Sequence, residues 1–179
     1  DMANAYATFP NGGEFREART YTKVYDSDGN LVLDNTQETR QVMGEKAINY
    51  MNYCLQNAVN NGTGGEARIS GQNIAGKTGT TNDQSDGWFI GYTPKITAGV
   101  WVGAEDRQVH FNSLALGGGS NMALPIWGIF MQKVIEDGTL GISHDDKFIS
   151  PPGLVLNLDC DGSDADASTS SVQSDDIFF

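Results

Sequence analysis

Apolar residues at Met2, Ala5, Tyr6 and Phe9 recur at roughly one helical turn before Pro10-Asn11-Gly12-Gly13 interrupts them. This predicts the end of a helix at the start of the chain. Weak alternation through Tyr21, Lys23 and Tyr25, then Leu31 and Leu33, surrounds Asp26-Ser27-Asp28-Gly29-Asn30 and predicts a surface β-hairpin over 20–34. From Glu45 to Asn60, the positions Ile48, Met51, Leu55, Ala58 and Val59 repeat at helical spacing, with Ala47 and Cys54 alongside. A half-buried helix is expected there, ended at Asn61-Gly62 by a left-handed glycine cap; its apolar stripe favours Cys54 as a buried free thiol over a disulfide with Cys160, which spacing alone leaves open. A Gly-rich polar loop follows over 62–71.

Three short strands are expected next, over Asn73–Thr80, Gly87–Tyr92 and Thr97–Gly103. Thr93-Pro94-Lys95 joins the last two so tightly that they must be antiparallel neighbours. Asn121–Glu136 reads as a second amphipathic helix that buries Met122, Ile126, Ile129, Phe130 and Val134, with Pro125 near its first turn. After Pro151-Pro152 and the run Leu154-Val155-Leu156 the chain turns to Ser, Asp and Thr, and disorder is expected from about Asp161, apart from the closing Ile177-Phe178-Phe179. The order of elements implies an α/β fold of the α+β type, an antiparallel sheet flanked by helices.

Length and composition fit this picture of one compact unit with a tail. Of 179 residues, 39% are apolar and 19% charged, and no run of eighteen apolar residues occurs, so no membrane span is expected within the chain. The formal charge is −12, falling to −6 without the six aspartates at 159, 161, 164, 166, 175 and 176. Neither portion offers the positive field that phosphate backbones need, so nucleic acid is excluded as a partner. Cys54 and Cys160 stand far apart, and His110 and His144 cluster with neither, which gives no zinc-type spacing; no metal or cofactor is expected. The two histidines read as surface residues. Trp88, Trp101 and Trp127 are expected to pack between sheet and helix.

Gly71-Gln-Asn-Ile-Ala-Gly76-Lys77-Thr78 matches the phosphate-loop pattern GxxxxGK(S/T). A working loop of that kind opens a helix whose N-terminus faces the phosphates, whereas Gly79-Thr80-Thr81-Asn82-Asp83 begins no apolar helix. Asp159-Cys-Asp-Gly-Ser-Asp164 lacks the glycine position and the twelfth-position Glu of a calcium loop and reads as a solvated acidic segment. Lys77 taken alone is an edge-strand lysine that discourages aggregation.

In context Lys77-Thr78-Gly79 carries more. Lys-Thr-Gly on a strand is one of three active-site motifs of penicillin-binding proteins and serine β-lactamases. Asn61-Gly-Thr-Gly-Gly65, Ala75-Gly-Lys-Thr-Gly-Thr-Thr81, Trp88-Phe-Ile-Gly-Tyr-Thr-Pro94 and Val100-Trp-Val-Gly103 resemble, in order and spacing, the C-terminal half of class A penicillin-binding protein transpeptidase domains. Met2-Ala-Asn-Ala-Tyr-Ala-Thr-Phe9, Asn11-Gly-Gly13 and Ala123-Leu-Pro-Ile-Trp127 resemble the same family, which covers about residues 1–138. The resemblance implies a serine D,D-transpeptidase that cross-links D-alanyl-D-alanine stem peptides through an acyl-enzyme and is acylated by β-lactams. It implies Lys77 and Thr80 as catalytic: Lys77 supplies charge to proton transfer and to the substrate carboxylate, and the Thr80 N–H is an oxyanion donor. It likewise implies Thr78, Gly79, Thr80 and Thr81 as substrate-binding, with the threonine hydroxyls of 78 and 80 on the carboxylate and Gly79 permitting close approach. Strict alternation, however, places Lys77 and Thr78 on opposite faces.

The family also requires an upstream Ser-x-x-Lys and a Ser-x-Asn triad, and no serine of this chain satisfies either. The expectation is therefore a C-terminal fragment over 1–150, inactive by itself, with an acidic tail over 151–179. Its missing N-terminal half would be its first partner. The parent would be extracytoplasmic and held by a membrane anchor outside this chain, with a glycosyltransferase domain as a further implication. An incomplete sheet is expected to self-associate or to be marginal alone. A non-catalytic wall-binding module that recognises peptide or glycan is the alternative.

Overall fold

The computed structural model describes residues 1–149; the expectations for the tail, Cys160 and the closing Ile177-Phe178-Phe179 lie outside them. Eleven helices and strands follow in order. Helix α1 (Met2–Tyr6) leads to strand β1 (Glu14–Arg16) and to the hairpin β2 (Lys23–Tyr25) and β3 (Leu31–Asp34). Strand β4 (Thr39–Gln41) returns to pair with β1, and helix α2 (Glu45–Asn60) follows. The central sheet is β5 (Ala75–Thr80), β6 (Asp86–Tyr92) and β7 (Thr97–Gly103), antiparallel in that order. Helices α3 (Leu114–Gly117) and α4 (Gly119–Glu136) follow, and a short helical turn at Gly138–Leu140 comes after them.

The predicted hairpin, the three strands and α2 are present, α2 over the expected span. The β1–β4 ladder was not foreseen: three exposed or half-buried residues on each side, held apart by the hairpin insertion, carry no alternation to read. The cap of α2 also differs. Asn61 has φ −130° and Gly62 is not left-handed; instead, a Cβ at Gly62 would come within 2.9 Å of the Ala58 carbonyl oxygen, the same oxygen that accepts the Gly64 N–H. Glycine is needed there for close approach rather than for its dihedral freedom.

The sheet is covered differently on its two faces. Gly87, Phe89 and Gly91 of β6 face α4, where Phe89 meets Trp127 edge-on at 5.1 Å and forms the main core with Val59, Ile74, Leu124 and Met131. Trp88, Ile90 and Tyr92 face the other way; Tyr92 packs with Phe9 and Leu55 and donates its hydroxyl to Asn52 Oδ1 at 2.8 Å. The buried face of α4 is Ala123, Leu124, Trp127 and Met131, while Ile126, Ile129 and Phe130, expected inside, are exposed. The helix is apolar on several sides, so the sheet chose: the hollow above Gly91 receives Trp127, and a Cβ at Gly91 would lie 2.6 Å from Trp127 Cζ2. Leu114–Glu136 is long and apolar enough to cross a membrane, but its Trp127 face is fully buried on the sheet, as in a core helix. With α4 starting at Gly119 instead of Asn121, Pro125 sits two residues further in than expected.

Two more expectations are corrected by burial. Cys54 is exposed, because Ile48, Asn52, Leu55 and Val59 form the inward stripe of α2 and position 54 lies away from it. Trp88 and Trp101 are 36% and 48% exposed and lie tilted against each other on the face away from α4; only Trp127 of the three tryptophans packs between sheet and helix.

Candidate active site

Strand β5 is a terminal strand of its sheet, and its backbone phase decides what its open edge presents. The Thr81 N–H donates to the Asp86 carbonyl at 3.1 Å, and Thr80 pairs with Gly87, Thr78 with Phe89. Bonded and unbonded pairs alternate in an antiparallel ladder, so Thr78 and Thr80 are the unbonded members and turn their N–H and C=O groups to the free edge. That edge therefore carries backbone donors and acceptors without strand partners.

The side chains meet at the same edge. Lys77 shares a face with Ile90, opposite to Thr78, as alternation requires. Its stem nevertheless curls over the edge, so that Nζ donates to the Thr78 carbonyl at 3.0 Å and to Thr78 Oγ1 at 3.3 Å. Thr78 Oγ1 lies 2.8 Å from Thr63 Oγ1, which brings the Asn61-Gly-Thr-Gly-Gly65 loop to the motif. Thr80 Oγ1 accepts the Gly119 N–H at 3.0 Å, which leaves its one proton for another acceptor. Gly79 crosses from Trp88, where a Cβ would stand 3.3 Å from the Trp88 Cβ. Thr81 points into the turn, toward Ser85 Oγ at 2.9 Å and Asp86 Oδ2 at 3.1 Å, rather than to the open edge.

A groove of about 430 Å³ runs along this strand, between residues 77–81 on one side and Met2, Tyr6, Trp88 and Ile90 on the other. A larger cavity, about 570 Å³, lies between α1, β1 and the β6–β7 turn. Its Arg16 pairs with Glu14 at 2.9 Å and its Lys95 with Asp146 at 3.0 Å, and it holds none of the motif residues. The chemistry therefore centres on the β5 groove. Among the described residues no group of three or more His, Cys, Asp or Glu could hold a metal.

The phosphate-loop reading fails on geometry. Lys77 and Thr78 stand within an extended strand, and a single short turn over Asn82–Gln84, not a helix, follows. Sequence reading gives no role to Thr63 or Gly119 by itself and places Asp86 only in a polar loop that could rim the site; they support the motif from the 61–65 loop, the start of α4 and the start of β6. Asp86 accepts the Trp101 indole N–H at 2.9 Å, and that bond, ahead of those from Thr81 and Ser85, holds its carboxyl below the usual carboxylate range. His144 and His110 are exposed; Gln72 Nε2 lies 3.2 Å from His144 Nδ1.

The penicillin binding protein transpeptidase domain family matches residues 1–113. Penicillin-binding protein 1A of Clostridium acetobutylicum is 37% identical over 158 residues, covering 88% of this chain and 18% of that protein. The solved structure of penicillin-binding protein 1A from Haemophilus influenzae superposes with a TM-score of 0.70 at 20% identity, over 85% of this chain and 27% of that one. The imipenem acyl-enzyme complex of penicillin-binding protein A from Mycobacterium tuberculosis gives 0.57 at 21% identity, over 73% and 29%. The chain thus spans about a fifth of the length of the curated relatives it matches, and the solved structures share its fold.

Proposed function

Because this chain belongs to the penicillin-binding protein transpeptidase family, we propose that its β5 edge is one wall of a serine acyl-transfer site for D-alanyl-D-alanine stem peptides. The observation that carries this reading is the convergence at one free edge of the Lys77 ammonium, the Thr78 hydroxyl and the outward Thr80 N–H. An extended peptide adds to such an edge as a further strand, its backbone pairing with Thr78 and Thr80.

In the proposed reaction a serine oxygen attacks the carbonyl carbon of the penultimate D-alanine. The Thr80 N–H stabilises the oxyanion that forms there. The peptide bond breaks, the terminal D-alanine leaves with a proton, and an amine from a neighbouring stem peptide then displaces the serine, which regains its proton. Lys77 supplies positive charge to this proton transfer and, with Thr78, to the substrate carboxylate. A β-lactam follows the first half of the path, its ring amide opening to leave an acyl-enzyme.

Neither Ser-x-x-Lys nor Ser-x-Asn occurs in this sequence, so in this reading both come from an upstream half of the domain, and residues 1–150 act only when joined to it. Residues 151–179 form an acidic extension of that domain. The parent acts outside the cytoplasm on an anchor carried elsewhere, and the open sheet of the isolated chain favours self-association.

Intact mass spectrometry after exposure to penicillin tests the proposal on this chain alone and joined to its native upstream half. The expected result is one covalent adduct on the joined protein, lost in Lys77→Ala, and none on the chain alone. An adduct on the chain alone would overturn the missing-nucleophile account. A folded joined protein that takes no adduct would overturn the enzyme reading in favour of a module that only binds wall peptide or glycan.

A further inference from the structure

The turn between β5 and β6 contains two consecutive non-glycine residues with positive φ, Asp83 at 58° and Gln84 at 54°. Residues with a Cβ adopt that backbone only where their surroundings over-determine it. Here the surroundings converge on the Asp86 carboxylate. Oδ2 lies 3.1 Å from Thr81 Oγ1 and 3.3 Å from Ser85 Oγ, and the two hydroxyls are 2.9 Å apart. The Asp86 N–H returns to Thr81 Oγ1 at 2.9 Å, so residue 81 is held by both the backbone and the side chain of residue 86.

The other carboxylate oxygen reaches across the sheet. Oδ1 accepts the Trp101 indole N–H at 2.9 Å, and Trp101 lies tilted against Trp88, with ring centroids 6.3 Å apart and 41° between the planes. Trp88, in β6, is in turn the register partner of Gly79 in β5. Room for this arrangement is made by Gly103, which pairs with Asp86: a Cβ there would stand 2.6 Å from Asp86 Oδ1 and 2.7 Å from Trp101 Cζ2. One carboxylate thus holds Thr81 through hydroxyls and, through Trp101, the indole of Trp88, whose backbone pairs with Gly79; Thr80 lies between residues 79 and 81.

We propose that Asp86 is a positioning residue for acyl transfer: by clasping Thr81, Ser85 and Trp101 it fixes the direction of the Thr80 backbone N–H at the open edge. The inference rests on the function proposed above. An oxyanion donor acts through geometry, so loosening the clasp slows the chemical step more than it weakens encounter with the ligand.

The test uses the transpeptidase that contains this chain with its upstream half, a fluorescent penicillin as probe, and the variants Asp86→Ala, Thr81→Val and Thr81→Ser. The limiting acylation rate and the pre-acylation Kd are measured separately. Asp86→Ala and Thr81→Val are expected to lower the limiting rate by about tenfold or more, with Kd changed by less than about threefold. Thr81→Ser, which keeps the hydroxyl, is expected to recover most of the limiting rate lost in Thr81→Val. A role limited to stability would lower the melting temperature without separating rate from Kd. If Asp86→Ala does not fold, the Val and Ser variants at 81 decide between them: a folded Thr81→Val protein that acylates at the wild-type limiting rate overturns the proposal. If the wild-type protein takes no penicillin, the proposed function fails by itself, and nitrogen-15 relaxation at the Thr80 amide judges the clasp. Its order parameter falls from the rigid range near about 0.85 to below about 0.6 in Thr81→Val if Asp86 positions it, and an unchanged value overturns it.

Discussion

Gly119 donates its backbone N–H to the Thr80 hydroxyl oxygen at 3.0 Å, joining the first residue of α4 to the last residue of β5. Only a residue without Cβ fits there, since a Cβ would fall on the Gly79 carbonyl oxygen and within 2.6 Å of that of Trp88. Gly119→Ala is therefore expected to push α4 away from the sheet and to cost about 1–3 kcal/mol, read from urea unfolding. An unchanged midpoint and slope would mean that α4 does not seat on the strand in this way.

Tyr92 and Asn52 form a buried pair that ties β6 to α2, with Tyr92 Oη donating to Asn52 Oδ1 and Asn52 Nδ2 donating to the Phe9 carbonyl at 3.2 Å. Tyr92→Phe leaves Asn52 Oδ1 without its donor and should cost about 1–3 kcal/mol.

Burial pushes the Tyr92 phenol well above its ordinary value, with Tyr6 adding to the shift. A raised pKa favours the protonated, folded form, so this contribution is complete below the unfolded value near about pH 10 and is lost as pH rises toward the folded one. Alkaline unfolding followed by circular dichroism should be steeper in wild type than in Tyr92→Phe over that window. Identical profiles would place the phenol in water.

Thr63 meets the motif through its hydroxyl, 2.8 Å from that of Thr78. Thr63→Val keeps the shape and removes the bond, freeing Thr78 to rotate. In the joined transpeptidase, pre-acylation binding of penicillin is expected to weaken by roughly threefold to tenfold, as for the loss of one ordinary hydrogen bond. Unchanged binding would assign Thr63 to loop packing alone.

Cys54 lies on the outward side of α2. A disulfide-exchange reagent should titrate it in the native protein at a rate close to that of the urea-unfolded chain. Protection by a factor of a hundred or more, on the order expected for a thiol reached only through local opening, would restore the buried assignment.

Acid should loosen the Asp86 clasp. The Trp101 indole, then the hydroxyls of Thr81 and Ser85 and the charge of Arg107, lower its carboxyl pKa from the ordinary value. A depressed pKa makes the contribution present above the unfolded value near about 3.9 and lost as pH falls through the folded one. Tryptophan emission should shift over that acid range in wild type and lose the step in Asp86→Asn. A step that persists in the variant would assign it to another carboxylate.

Helix α2, the hairpin and the strand order were legible because each has a local cause: helical spacing from Ile48 to Val59, a Gly-containing turn, and a three-residue connection after Tyr92. The Lys77-Thr78-Gly79-Thr80 motif was legible for the same reason, as a contiguous string with its neighbours in order. Its supports were not. Thr63, Asp86, Trp101 and Gly119 meet the motif through contacts that no spacing rule predicts, although Gly103 opposite Asp86 is the residue type such a close contact requires.

The sequence by itself determined the main helices, the hairpin and the three central strands, the family to which they belong, and the residue types at the motif. Only the tertiary structure decided which way those segments face. A helix apolar on several sides carries no internal preference, so the hollow over Gly91 and the bulk of Trp127 turned α4. Alternation alone separated Lys77 from Thr78; the ladder phase, by making β5 a free edge with Thr78 turned outward, let the lysine stem cross that edge and meet it. Periodicity is a property of one segment, whereas orientation is settled by the shape of the surface it packs against.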